Sequence, residues 1–215
     1  MKSLVLLPVV LMLLAVGGCQ QLGYLGYLLA PAVPAKPIEA EFDKLPSHSV
    51  AVVIFADQQT QYEYPYARLT LGQAVSAELA KQIENVTVVD VRKVCRYQDE
   101  NFYWETQDKT QLAKNLGADY ILVVNLLHYA TREPGSLNLY RGSIASQPSL
   151  FDAAVPEHEA KVWAGQITVT HPSGDTGGIP AADDRNIRET VEKLFARDLI
   201  RKFYKHKPGA DDDEA

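Results

Sequence analysis

The stretch Ser49-Val-Ala-Val-Val-Ile-Phe-Ala56 constrains this chain more than any other. It is β-branched and apolar at both parities, so as a strand it has no face to offer water and must be covered on both sides. Ala118-Asp-Tyr-Ile-Leu-Val-Val-Asn-Leu-Leu-His-Tyr-Ala130 has an apolar centre of the same character. Two such strands belong side by side in the middle of a sheet. Covering both faces of that sheet takes helices, which points to an α/β sandwich.

The remaining segments supply them. Leu71, Val75, Leu79 and Ile83 recur every four residues and predict a helix over about Leu71 to Glu84 with one buried stripe, its start marked by the capping-box spacing of Thr70 and Gln73. Asp57 to Arg68, before it, reads as a polar loop, and Val86 to Asp90, after it, as a short strand. Arg92 to Asp99 suggests a short helix. Asp108 caps another over Lys109 to Leu116, and Gly117 closes it. Beyond a turn at Glu133 to Ser136, two long strands are expected, Leu137 to Asp152 (irregular at Gly142 or Pro148) and Ala160 to Thr170, joined through Ala153 to Glu159 as an antiparallel hairpin. In the second, Trp163, Gly165, Ile167 and Val169 alternate with Val162, Ala164, Gln166, Thr168 and Thr170, which predicts unlike faces. A glycine-rich loop, Pro172 to Ala182, leads to a last helix over Asp184 to Lys205. Ile187, Val191, Leu194, Phe195 and Leu199 form its buried face, Asp183 and Asp184 sit at its positive end, and Arg201, Lys202 and Lys205 at its negative end. The expected order is β-α-β-α-α-β-β-β-α around a central mixed sheet, in a single domain over residues 49–207 with an acidic disordered tail over 208–215.

The chain opens with Lys2, an apolar run from Leu4 to Leu14 broken by Pro8, and the small-residue exit Ala15-Val-Gly-Gly-Cys19. That is the pattern of a secretory signal over residues 1–18. The run falls short of the roughly 20 apolar residues that a bilayer span needs. An ordinary signal with a chance cysteine and an N-terminal membrane anchor are the alternatives. Val16-Gly17-Gly18-Cys19 resembles the lipobox of bacterial lipoproteins. The resemblance implies cleavage between Gly18 and Cys19, a diacylglycerol thioether and palmitate-type acyl chains at Cys19, and anchoring of the mature chain to a membrane. Because Gln20 rather than aspartate follows the cysteine, it also implies the periplasmic face of the outer membrane. Residues 19–48 then form the lipidated cysteine and a tether whose spaced prolines, Ala30 to Pro37, read as extended and semi-rigid. Its apolar start, Leu22 to Leu29, lies either in the membrane interface or against the domain. Fully stretched, Cys19 to Ser49 reaches about 100 Å.

Composition narrows the partners. The formal charge is −6, and loss of Lys2 with the signal leaves 20 basic against 27 acidic side chains. This argues against nucleic acid and against electrostatic adhesion to anionic lipid. With Cys19 lipidated, Cys95 stands alone and is expected to be a buried, inert thiol. No catalytic residue, metal site or cofactor is expected. Gly174-Asp-Thr-Gly-Gly178 is similar to a serine-protease nucleophile run with threonine for serine, but His171, five residues away, cannot be placed as its base by that pattern, and a flexible turn explains the glycines. His48, His128, His158, His171 and His206 are scattered rather than paired at ligand spacing. The loop after the first strand, Phe55-Ala-Asp-Gln-Gln-Thr-Gln61, lacks glycine, which argues against a nucleotide.

The runs "VAVVIFAD", "VTVVD" and "LAKNLGADYILVV" resemble a group of bacterial envelope domains that includes the curli-secretion lipoprotein CsgG, the penicillin-binding-protein activator LpoB and the amino-terminal domain of TolB. The resemblance covers about residues 49–205 by element order and implies a non-enzymatic accessory of a secretion, cell-wall or transport machine. Tyr62, Tyr64, Tyr66, Phe102, Tyr103 and Trp104 lie in expected loops on either side of the β-α-β unit. Aromatic side chains in loops are either anchors for a partner, here another envelope protein, or plugs for the end of the core. A glycan- or peptidoglycan-binding protein, with sugars stacked on those rings, or an envelope hydrolase with an unread site, is the alternative function.

Overall fold

The computed structural model describes residues 36–136, 138–174, 178–180 and 184–208, and the domain they form runs from Pro37 to Lys207. Strand β1 (Ser49–Phe55) lies parallel to β3 (Tyr120–Arg132), in register from Val50 opposite Tyr120 to Phe55 opposite Asn125. This is the pairing that the two apolar runs require. Asp119 fixes its start: the backbone N–H and hydroxyl of Ser49 both donate to Asp119 Oδ2, at 2.8 and 2.7 Å. Those two bonds hold the Asp119 carboxyl below the usual carboxylate range.

Between β1 and β3 the chain forms α1 (Gln58–Glu63), α2 (Ala67–Gln82), β2 (Thr87–Val88), α3 (Val91–Glu100) and α4 (Lys109–Leu116). After β3 come β4 (Leu139–Asp152), β5 (Lys161–Ala164), β6 (Ile167–His171), β7 (Ile179–Pro180) and α5 (Asp184–Ile200). The sheet runs β2-β1-β3-β4, and β5, β6 and β7 share the far edge of β4. The fold is therefore α/β with a mixed sheet, a long β3–β4 antiparallel hairpin and a closing helix. Val50, Val52 and Ile54 face a core cluster with Leu71, Val75 and Leu79 of α2 and Val191, Phe195 and Leu199 of α5. Ala51 and Val53 face the opposite cluster, with Val94 of α3 and Leu112, Ala113 and Leu116 of α4. Each large side chain buried there contributes about 1.5–3 kcal/mol.

Several boundaries differ from the sequence expectation, each for a local reason. Helix α1 occupies the expected polar loop. Asp57 caps it by accepting from Thr60 N at 2.7 Å, and it buries none of its residues, so no apolar period announces it. Helix α2 starts at Ala67, because Ala67 N already closes a turn onto Tyr64 O. Thr70 therefore caps nothing and turns its hydroxyl inward. Asp108 and Gly117 do bound α4, the latter in the left-handed conformation at φ 76°. The expected strand over Ala160 to Thr170 is interrupted between β5 and β6 without loss of register: Ser149 faces Ala164 and Ser146 faces Ile167. Pro148 causes the gap. Gly165 N donates to Pro148 O at 3.0 Å, but the proline has no N–H to return the second bond of the pair. Strand β7 lies within the expected glycine-rich loop and pairs with Leu139 and Tyr140. The last helix ends at Ile200 rather than Lys205, since the tighter turn Arg201–Phe203 brings Phe203 into the core, with its ring 4.8 Å from that of Trp163.

The domain also starts at Pro37 rather than Ser49. Ile38 exchanges backbone bonds with His206, Glu41 N donates to Lys202 O, and Leu45 is fully buried. Glu41 receives Trp163 Nε1 at 2.8 Å and Lys202 Nζ at 2.9 Å. Burial opposes the charge, yet these bonds and the Lys202 cation hold the Glu41 carboxyl below its usual range. Residues 37–48 are thus a strap along the C-terminal turn.

Helix α5 packs tightly over Gly142 of β4, where a Cβ would lie 2.7 Å from Val191 Cβ. Gly142→Ala should destabilise the domain by about 1–3 kcal/mol, the cost of overpacking a filled core. A urea titration read by circular dichroism checks this, and an unchanged midpoint would show that α5 is loosely seated.

Candidate functional site

The domain has two distinct ends. At the C-terminal end of β1 lie α1, the start of α2 and the end of α3, tied there by Gln61 Nε2 donating to Ala56 O and by Gln98 Nε2 donating to Ile54 O. At the N-terminal end lie the strap, the end of α2 and the end of α5, tied by Ser47 N to Glu84 O and Glu41 N to Lys202 O. The 16 residues of α2 separate the two ends by about 24 Å. The chain enters the domain at Ile38, at the second end.

The aromatic runs all sit at the first end, and they split. Tyr62 is 89 % exposed, Tyr66 69 %, Phe102 88 % and Tyr103 80 %. The ion pair of Arg68 with Asp99, at 2.7 Å, joins the helix that follows Tyr66 to the helix that precedes Phe102. It brings the two exposed pairs onto one end. Tyr64 and Trp104 turn inward instead. The Tyr64 ring packs edge-on against Tyr129, with centroids 4.9 Å apart, and its hydroxyl accepts from Thr131 N at 3.2 Å. Trp104 is buried, its ring 6.1 Å from Phe55. These two plug the core and do not belong to an outward patch. Within "YEYPY" and "NFYW" nothing local separates the plugs from the exposed rings. The rings they meet, Tyr129 and Phe55, lie far away in sequence or on another element.

Beneath this surface is a carboxylate that sequence reading misses. Glu192 of α5 is 4 % exposed, and its Oε1 accepts from Thr70 Oγ1 and from the Tyr129 hydroxyl, each at 2.6 Å. The two bonds tie α2, β3 and α5 together. Burial pushes the Glu192 carboxyl up, against the pull of the two hydroxyls and of Arg188. Burial and the Glu192 charge likewise keep the Tyr129 hydroxyl protonated. The only sequence signal is width: Ala196 and Ile200 are buried beside the expected face of α5, so Glu192, one turn before Ala196, is inside it.

Between the Tyr64–Tyr66 segment, Thr131 and Arg132 of β3, and Asp184 and Arg188 of α5 lies an open cavity of about 370 Å³. The Thr131 hydroxyl donates to Asp184 Oδ1 at its wall. The described residues hold no group of three or more histidine, cysteine, aspartate or glutamate side chains that could hold a metal. Cys95 on α3 is half-buried, and burial raises its thiol. Gly18, Cys19, Asp183 and the centre of the Gly174–Gly178 run lie outside the described residues, as does the acidic end of the tail.

No protein-family model matches the sequence, and no curated protein matches it. Among solved structures, the chain is similar to the PelC dodecamer subunit from Paraburkholderia phytofirmans, at 12% identity and TM-score 0.46, over 79% of this chain and 98% of that one. It is similar to lipoprotein GNA1162 from Neisseria meningitidis at 15% identity and TM-score 0.40, over 61% and 85%. It is similar to the LpoB C-terminal domain from Salmonella enterica at 14% identity and TM-score 0.29, over 60% and 87%. Each is a likeness of fold alone.

Glu192→Gln should raise the thermal midpoint at pH 8, because the amide keeps an acceptor for both hydroxyls without a buried charge. A glutamate whose pKa is raised by folding stabilises only below its unfolded value of about 4.3 and costs stability as pH climbs past it. The advantage of the variant should therefore vanish below about pH 4. Melts across that range check it; a variant less stable at pH 8 would show that the ionised pair is favourable.

Proposed function

We propose that this protein is a non-enzymatic accessory lipoprotein, anchored through lipid on Cys19 at the periplasmic face of the outer membrane, and that it docks another envelope protein on its exposed aromatic end. The observation that carries the reading is the outward display of Tyr62, Tyr66, Phe102 and Tyr103 on the end of the domain opposite the chain's entry at Ile38. Rings left in water forgo the gain of burial, and aromatic side chains are enriched at the centres of protein interfaces. The lipobox-like Val16-Gly17-Gly18-Cys19 supports the anchor. An anchor that leads to Ile38 leaves the aromatic end free to face away from the bilayer.

Two experiments test the halves separately. Cells grown with labelled palmitate should label the wild-type chain and not a Cys19→Ser variant; equal labelling of both would place the lipid elsewhere. A photoreactive amino acid at Tyr66 or Phe102 should give a discrete protein adduct in cells, and one at Glu84, exposed at the opposite end, should not. A Tyr62→Ala, Phe102→Ala double variant carrying the probe at Tyr66 should lose the adduct with its thermal midpoint unchanged. Adducts at Glu84 alone would move the docking surface to the other end, and retention on peptidoglycan without any protein adduct would favour the glycan reading.

A further inference from the structure

We propose that the cavity between Tyr64, Arg132 and Arg188 is a binding site for a carboxylate-bearing ligand the size of an amino acid. Three donors line it with hydrogens unspent on the described residues. Among the described residues, the Arg132 guanidinium meets the face of the Tyr140 ring, 5.5 Å from its centroid, and no hydrogen-bond acceptor. The Arg188 guanidinium comes no closer than 4.0 Å to the Asp184 carboxylate, beyond hydrogen-bond distance. The Tyr64 hydroxyl accepts from Thr131 N, which leaves its own hydrogen to donate. A guanidinium presents parallel N–H groups that match the two oxygens of a carboxylate or a phosphate.

The acidic lining decides between those two. Glu63 and Asp184 also face the cavity, and a second negative charge on the ligand would meet both of them. A monoanion takes the two guanidiniums with less repulsion than a phosphate dianion. Asp184 accepts the Thr131 hydroxyl at Oδ1, and its Oδ2 forms only a long ion pair with Arg188, 4.0 Å away and beyond hydrogen-bond range. The Tyr66 ring and Pro65 give the ligand an apolar wall. The volume of about 370 Å³ admits an amino-acid derivative and falls at the lower end of small-molecule sites. The site does not depend on the docking reading: adducts at Phe102 report on one, and titration of this cavity on the other.

The test is calorimetric titration of the full chain in detergent with N-acetyl-tyrosine, N-acetyl-tyrosinamide and inorganic phosphate. The acid should bind saturably at one site; the amide should bind at least about tenfold more weakly, as expected when a charge-assisted hydrogen bond is lost, and phosphate should also bind more weakly, because its second charge meets Glu63 and Asp184. Arg132→Gln and Arg188→Gln should each weaken the acid by about tenfold or more, with the thermal midpoint unchanged. Arg188 also faces the Glu192 carboxyl, so if its substitution lowers the midpoint, the exposed Arg132 decides the matter alone. No saturable uptake of the acid, equal binding of the amide, tighter binding of phosphate, or full affinity in a stable Arg132→Gln variant would each overturn the proposal.

Discussion

Two strands without a water-facing side set the terms for everything else in this domain. Once β1 and β3 pair in parallel, Val50, Val52 and Ile54 need cover on one face while Ala51 and Val53 need it on the other. A parallel pair also needs a crossover, and the chain uses that crossover to supply the cover. Helix α2 covers one face; α3 and α4 cover the other. The side chains on the two faces differ in size. The face with valines and isoleucine takes two long helices, α2 and α5, and the face with Ala51 takes the shorter α3 and α4.

The ends of the sheet are finished by different means. At the chain's entry, residues 37–48 fold back along the turn after α5, and Glu41 links the strap to both Trp163 and Lys202. At the other end β3 and β4 run on past β1, and the overhang is closed by side chains. Tyr64 caps Tyr129, Tyr129 and Thr70 share Glu192, and Thr131 holds Asp184. The entry end is therefore tied largely through backbone, and the aromatic end through polar side chains packed under rings. The candidate surface and the arginine-lined cavity both sit on that second kind of closure.

What could be read from the sequence follows from whether a feature has a period. The stripe of α2, the alternation of Trp163, Ile167 and Val169, and the caps Asp108 and Gly117 each announce themselves over a few residues. Helix α1 does not, because it buries nothing, and β7 does not, because two residues carry no pattern. The strap escapes notice because it follows a spaced proline run that resembles a linker, whereas its attachment depends on Lys202 and His206 at the other end of the chain. The same limit applies to the site. Tyr62 and Tyr64 are two residues apart and look alike in sequence; only the position of Tyr129 sends one inward. The pairing of Arg132 with Arg188 across one cavity has no local signature at all.

The aromatic end owes its character to the division of six aromatics, in two short runs, into four exposed rings and two core plugs. Hydroxyl-radical footprinting of the purified full chain and of intact cells tests it most directly. Tyr62, Tyr66, Phe102 and Tyr103 should oxidise rapidly in the purified protein and be protected in cells, and Tyr64 and Trp104 should oxidise slowly in both. Oxidation of Trp104 as fast as Phe102 in the folded, purified protein would contradict it.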